Sequence, residues 1–466
     1  MDQEKLLPRV LSGFRDYPPE QVRARDLMMD KIRRTFELFG FDPLDTTTVE
    51  FLEILTGKMP GWDQMGLYTL DSSIERRIDR GDEETFWLKK TGLRFDLTVS
   101  LARYVAANLD TLPRPFKRYQ LGKVYRAESP QEGRYREFFQ FDADTMFAPN
   151  VVADAEIIAL MVETMLALDL PRSIVKVNNR KIAEGLSSLI GFEPRLLNDV
   201  LRVLDKRDKV GREEMISELR LELGEEEDGK RGLGLDEKQV ETLMNFVELQ
   251  GELSDKLAFC RNLFKGIEIA ENGFDELERI AEYLRAMGVE PAMWEVDFSI
   301  VRGLAYYTGP VFETQLLDLP EIGSVFSGGR FDNLVSRFSS AKVPGTGASV
   351  GVDRLLAALL KLEKIKLTPT CVQCLVMALT SDLTAEMAVL GQLRRAGINA
   401  MIYTGSDMSF KAQFVRAVKF NVPYIMILGD KELADGTVTV RDLATRAQVT
   451  IARDLLVEYF RDKGMA

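Results

Sequence analysis

The chain has 466 residues, 45% apolar and 29% charged, with a net charge of −12, and that length exceeds what one hydrophobic core usually serves. It contains no histidine and three cysteines, which excludes imidazole bases, Ser–His triads and His-ligated metals, and points to a reducing compartment, the cytoplasm. No apolar run is long enough for a membrane span, the N-terminus is too charged for a signal peptide, and the acidic balance argues against a general nucleic-acid binder, DNA included.

Pro8, Pro18 and Pro19 lead into a helix predicted from Glu20 to Leu38, where Val22, Leu27, Met28, Ile32 and Phe36 recur near helical spacing. Gly40 closes it, and a strand is expected from Phe41 to Val49. Strands from Trp87 to Leu97 and Lys117 to Arg126 flank a helix from Thr98 to Asn108, and an apolar helix follows from Val151 to Leu168. From Pro171 to Ala292 the texture is helical and charge-rich, broken by the acidic, Gly-punctuated loop Glu222 to Val240. This reads as an insertion carried on the first domain. Strand patterning returns at Trp294 to Phe298 and Gly309 to Leu316. Gly328-Gly329 reads as a turn, and Gly345, Gly347 and Gly351 lead to a helix from Val352 to Leu362.

Beyond Pro369 the chain alternates: strand Val372–Leu379, helix Leu383–Ala396, strand Ala400–Tyr403, helix Ser409–Phe420, strand Tyr424–Leu428. A hairpin of Thr437–Val440 and Gln448–Ile451 precedes a last helix, making a compact α/β domain. Four segments result: 1–170, the helical insertion 171–292, 293–365 and 366–466. The last carries eleven Lys and Arg against ten Asp and Glu from Leu367 onward, so any RNA contact there must come from small local clusters. Cys371 and Cys374 form a C-x-x-C with no second pair and no histidine, which favours structural cysteines over a zinc site.

Chemistry concentrates in Val124 to Asp144. Arg126, Arg134 and Arg136 stand among acids and aromatics, a Pro-Gln-Glu-Gly turn divides the stretch, and its far end alternates Phe139, Phe141, Ala143 against Gln140, Asp142, Asp144. Fixed positive charge beside an amide and carboxylates suits a nucleotide triphosphate next to a small cationic substrate, hence carboxylate activation by ATP. Arg126 at a strand end can bridge a carboxylate and an α-phosphate, Glu128 can accept from an adenine amine, and Arg134 can reach the outer phosphates. A surface hairpin laced with ion pairs would carry the same residues.

This stretch resembles motif 2 of class II aminoacyl-tRNA synthetases, most closely the histidyl-tRNA synthetases. Leu93 to Arg103 (LRFDLTVSLAR) is similar to that family's Leu-Arg-x-(Asp/Glu)-x-Thr segment. Ile300 to Glu313 (IVRGLAYYTGPVFE) and Ser327 to Val335 (SGGRFDNLV) resemble its two histidine-specific elements, and Gly351 to Leu355 (GVDRL) resembles motif 3. The resemblance spans essentially the whole chain. It implies an α+β catalytic domain, an antiparallel sheet flanked by helices, with a helical insertion and a C-terminal α/β anticodon-binding domain. The implied activity is ATP-dependent formation of histidyl-adenylate and transfer of histidine to tRNA(His) by a homodimer.

By the same resemblance Arg126 and Arg302 are catalytic at the α-phosphate, and Glu128, Arg134 and Arg354 complete the ATP site, with Mg²⁺ carried by ATP and no metal held by Cys. Asp96, Thr98 and Gln140 would hold the ammonium of histidine; Asp144 and Tyr307, with Tyr306 and Arg302 beside them, would hold the rest, and pairing both imidazole nitrogens gives about 10⁴-fold discrimination without editing. Gln131 and Glu132 in the motif 2 loop, and Lys411 and Arg441 in the last domain, are candidate tRNA contacts.

Three positions depart from the family pattern. Ala305 replaces an aspartate, Phe331 replaces a tyrosine, and Thr47 stands where motif 1 has a proline. The alternative function is a non-catalytic histidine-sensing paralogue of the same fold. Such paralogues typically lack the last domain and some nucleotide-gripping arginines, all of which this chain retains.

Overall fold

The computed structural model describes residues 6–57, 66–70, 91–127, 135–204, 211–221, 226–227, 230–300 and 306–465. Contacts divide the chain into two compact units, one of residues 1–16 and 25–365, the other of residues 17–24 and 366–466.

The first unit is built on an eight-stranded sheet. Its strands are β1 (Asp42–Pro43), β2 (Phe116–Tyr125), β3 (Glu137–Met146), β4 (Ser173–Asn179), β5 (Trp294–Val296), β6 (Pro310–Leu316), β7 (Phe326–Arg330) and β8 (Gly345–Gly351). They lie in the order β1-β2-β3-β8-β7-β6-β4-β5. The six inner strands run antiparallel, as expected, but β1 pairs parallel with β2 and β5 parallel with β4, so the sheet is mixed at both edges. A separate three-stranded sheet joins Val49–Phe51, Thr91–Leu93 and Thr69–Leu70.

Helix α1 (Pro19–Leu38) buries Met28, Ile32 and Phe36, and the Phe36 ring meets Phe141 edge-on at 5.0 Å, which seats the helix against β3. Helix α2 (Thr98–Ala107) follows the Thr91–Leu93 strand and buries Val99, Leu101, Ala102 and Val105. Helix α3 (Val152–Ala167) is apolar all round because it is covered on both sides, by the sheet and by the helix Glu268–Ala286. Among the described residues no helix is long and apolar enough to cross a membrane.

Three expectations need correcting. The strand expected from Phe41 to Val49 is two short strands in different sheets, Asp42–Pro43 and Val49–Phe51. The stretch from Pro171, read as helical, opens with β4, an interior strand of the main sheet, and its helices begin only at Arg180, capped by the Asn179 side chain on Lys181 N at 3.0 Å. Its seven residues are too short a run for apolar alternation to outweigh the charged helices that follow. Gly328-Gly329 is the middle of β7, not a turn. A Cβ on Gly328 would lie 2.0 Å from the Gly347 carbonyl, so these glycines serve close strand contact, and composition alone mistook them for a bend.

In the second unit, β9 (Cys374–Val376), β10 (Ala400–Ile402), β11 (Tyr424–Ile427), β12 (Thr437–Asp442) and β13 (Gln448–Ala452) form a sheet in the order β10-β9-β11-β12-β13. β9 is parallel to both neighbours, while β12 and β13 form the expected hairpin. Cys374 is buried in β9, where burial pushes its thiol up to about 12, and Cys371 is exposed; neither forms a disulfide.

Candidate active site

The middle of the main sheet carries polar residues in cross-strand rows. Because side chains alternate along β3, Gln140, Asp142 and Asp144 share one face. Register aligns each with a partner on either side: Gly122 and Gly351 with Gln140, Gln120 and Ser349 with Asp142, Arg118 and Gly347 with Asp144. Gln140 donates its Nε2 to Ser349 Oγ at 2.8 Å, and that hydroxyl in turn donates to Asp142. Gln140 Oε1 is buried without a hydrogen-bond partner among the described residues. A Cβ on Gly347 would come within 2.0 Å of Asp144 Oδ1, so only glycine leaves room for that carboxylate.

Asp96 and Thr98 reach the same face from the entry to α2. Asp96 Oδ1 accepts from Val99 N at 3.0 Å while its Oδ2 is buried without a hydrogen-bond partner among the described residues. Burial pushes the Asp96 carboxyl up to about 6, against the pull of the Val99 amide and of Arg126. Burial likewise raises Asp144 to about 7; the adjacent Arg118 guanidinium opposes the shift, and Asp142 and Asp96 add to it. The opposite wall is aromatic. Tyr306 and Tyr307 stand edge-to-face at 5.0 Å, Tyr306 meets Phe331 at 6.0 Å, and burial lifts both phenols above their ordinary range.

Arg126 follows the end of β2. Its Nε donates to the Phe95 carbonyl at 3.2 Å and its guanidinium lies 5.1 Å over the Phe138 ring, which fixes the charge at the mouth of the carboxyl-lined region. Helix α4 (Val352–Lys361) starts beside it. Arg354 in its first turn donates to the Ser324 carbonyl at 2.5 Å, and Asp353 accepts from Phe139 N at 2.9 Å.

Two cavities of about 260 and 360 Å³ share Arg126, Gln140, Ser349 and Arg354 in their walls. The smaller holds Asp96, Thr98, Asp144, Tyr306 and Tyr307; the larger is bounded by Tyr135, Phe138 and Asp353. Eight residues singled out from sequence, Asp96, Thr98, Arg126, Gln140, Asp144, Tyr306, Tyr307 and Arg354, therefore meet around one opening. Glu128, Gln131, Glu132, Arg134 and Arg302 lie outside the described residues, as does Ala305. Of the four arginines expected around a triphosphate, Arg126 and Arg354 come together and the other two are among those not described.

The family scan matches the model described as histidyl-tRNA synthetase over residues 13–355 and an anticodon binding domain over residues 373–463. This chain belongs to the histidyl-tRNA synthetase family. A histidine–tRNA ligase of Wolinella succinogenes is 37% identical over 445 residues, covering 95% of each chain. The solved histidyl-tRNA synthetase from Nostoc sp. PCC 7120 superimposes with a TM-score of 0.82 at 30% identity, covering 98% of this chain and all of that one. A Bacillus halodurans structure titled ATP phosphoribosyltransferase regulatory subunit/histidyl-tRNA synthetase shares the fold, with a TM-score of 0.69 at 24% identity over 89% of this chain and 97% of that one.

Within this synthetase fold some cleft residues escaped the sequence reading. Asp142 was on the polar face of the alternation yet received no role. Ser349 and Gly347 lie on β8, a Gly-rich segment whose strand character depends on its neighbours. Phe331, one of the departures, is buried against Tyr306 and makes that wall apolar. Thr47, another, donates its hydroxyl to Glu50 at 3.1 Å. In the second unit Lys411 is exposed on the helix α5 (Phe410–Lys419), while the Arg441 guanidinium on β12 lies 5.1 Å over Phe414 of that helix.

Proposed function

We propose that the protein is an ATP-dependent histidine–tRNA ligase whose amino-acid pocket is the smaller cavity and whose nucleotide site is the larger. The observation that carries this is the junction: a pocket lined by carboxyls and an amide opens, at Arg126, into a cavity that also holds Arg354. An α-ammonium fits against Asp96, Thr98 and Gln140, where Asp96 Oδ2 and Gln140 Oε1 are acceptors without partners among the described residues. An imidazole fits between Asp144 and Tyr307, an acceptor at one ring nitrogen and a hydroxyl at the other.

The substrate carboxylate then faces Arg126. Its oxygen attacks the α-phosphorus of ATP, the bond to the β-phosphate oxygen breaks, and pyrophosphate leaves. Arg126 strengthens its contact as negative charge builds on the α-phosphate, Arg302 joins it by the family resemblance, and Arg354 and Arg134 hold the outer phosphates, with Glu128 at the adenine. In the second step the terminal ribose hydroxyl of tRNA(His) takes the histidyl group and releases AMP. Mg²⁺ would be carried in with ATP and would neutralise charge on its phosphates. Gln131 and Glu132 at the acceptor end, and Lys411 and Arg441 on the second unit, are the proposed tRNA contacts. A homodimer in the cytoplasm completes the reading.

Histidine-dependent exchange of labelled pyrophosphate into ATP tests it. Exchange with histidine and none with other amino acids supports the ligase; histidine binding without any exchange supports the non-catalytic sensor instead.

A further inference from the structure

Arg118 on β2 is completely buried and lines neither cavity, yet its Nη2 sits 2.7 Å from Asp144 Oδ2. Nη2 also lies 3.4 Å from the Leu97 carbonyl, and Nε and Nη1 have no hydrogen-bond partner among the described residues. Such a pair is a poor stabilising device. Desolvating both charges offsets most of their attraction, the two idle donors add a further cost, and apolar residues of equal volume do as well or better.

The surroundings supply another reason for a cation there. Asp144 faces Asp142 along β3 and Asp96 from the segment before α2, and Tyr307 and Tyr306 stand across the pocket. The remaining cations act mainly on the other two acids: Arg126 on both, Arg94 on Asp142 and Arg337 on Asp96. Three buried carboxyls crowded together cannot all stay ionised unless fixed positive charge lies among them. Arg118 occupies the Oδ2 side of Asp144, and Gly347 leaves the Oδ1 side without a covering side chain.

We propose that Arg118 is a positioning residue for the amino-acid side chain: held behind the pocket, it favours the ionised form of Asp144 against the effect of burial and keeps the carboxyl turned so that its second oxygen accepts an imidazole N–H. This rests on the reading of Asp144 and Tyr307 as the imidazole partners. A neutral ring then donates to Asp144 with one nitrogen and accepts from the Tyr307 hydroxyl with the other. Without Arg118 the carboxyl holds a proton at neutral pH, and the pocket selects less strongly for the ring.

The test is pyrophosphate exchange by the full chain and by its Arg118→Met and Arg118→Lys variants, with histidine varied between about pH 6 and pH 9, a window that brackets the titration of such a carboxyl. Arg118→Met should raise the histidine KM about tenfold or more at neutral pH, as expected for one mismatched polar contact, with kcat within about threefold and the excess shrinking as pH rises. The ATP KM should not move, and Arg118→Lys should restore a histidine KM near that of the parent. A methionine variant whose histidine KM follows the parent at every pH overturns the inference, as does one that loses kcat and both KM values together without pH dependence. Should the methionine variant not fold, the lysine variant decides. A histidine KM near the parent's supports the role of charge, and a pH-independent rise of about tenfold overturns it. If the parent protein shows no histidine-dependent exchange, the reading of the site falls and this inference with it; a failure confined to the variants leaves that reading standing.

Discussion

The main sheet of the first unit buries Asp142, Asp144 and Arg118 at its centre, whereas the sheet of the second unit is filled by Leu375, Val376, Ile425, Met426 and Val440. In the second unit Gln413 bonds both the N–H and the carbonyl of Ala378, at 2.8 and 2.7 Å, while Glu386 Oε2 and Arg441 Nε are buried without hydrogen-bond partners among the described residues. In the first unit Asp96 Oδ2 and Gln140 Oε1, on residues that line a cavity, are buried acceptors without partners among the described residues. Unsatisfied buried acceptors cost stability in the empty protein and are repaid when a ligand supplies the donor. The contrast separates a sheet whose polar centre lines a cavity from one whose centre is apolar.

That contrast can be broken most sharply at a buried pair remote from the pocket floor. Arg330 pairs with Asp154 and donates to the carbonyls of Ala148 and Asn150 at 2.8 and 2.9 Å. Asp154→Ala leaves that guanidinium with the partly exposed Asp332 carboxylate, 3.2 Å from its Nη1, as the remaining counter-charge and should cost about 3 kcal/mol in denaturant unfolding. A loss under about 1 kcal/mol would mean that Asp332 and the carbonyls together satisfy Arg330, and that not all buried charge in this unit is expensive. Next in size, Arg126→Ala should slow pyrophosphate exchange by about 10²–10³-fold while melting hardly changes. An equal loss of stability would make Arg126 a structural arginine instead.

The pocket carboxyls predict a smaller, pH-dependent effect. Asp96 and Asp144 sit at about 6 and about 7, above the ordinary carboxylate value. The folded protein therefore binds more protons than the unfolded chain between about pH 4 and pH 7, and this contribution to stability falls as pH rises through that window. Bound histidine supplies the missing donors, so the rise in Tm on adding it should be larger at about pH 8 than at about pH 5. A shift that is the same at both would show that these carboxyls do not meet the ligand. The smallest effect is expected on the second unit. Lys411→Ala should weaken tRNA binding only a few-fold and reduce the slope of log affinity against log salt by about 0.7, as for one phosphate contact on a single strand. An unchanged slope would remove Lys411 from the interface.

Much of the site was legible because its signals are local. Alternation along 139–144 put Gln140 and Asp144 on one face, whereas Asp96 and Thr98 came in through the resemblance of Leu93 to Arg103 to a family segment. The helix bounds were likewise close, with α1 starting at Pro19 and α3 at Val152, since apolar periodicity and Pro or Gly punctuation act within a few residues. The inner strands β4, β7 and β8 were harder, because short or Gly-rich segments have no strand character until their neighbours are in place.

The amino-acid order by itself determined the polar face of β3 and the absence of histidine side chains from the catalysis, which follow from spacing and composition, and the class of the fold, which followed from the resemblance of its motifs to a known family. Only the tertiary structure decided that Arg118 lies behind Asp144, that Ser349 bridges Gln140 and Asp142, and that Gly347 yields its place to a carboxylate. These are pairings between strands set by register, with β8 some two hundred residues beyond β3 in the chain. Hydrogen-bonding register is fixed by the packing of the whole sheet, and no window of sequence contains it.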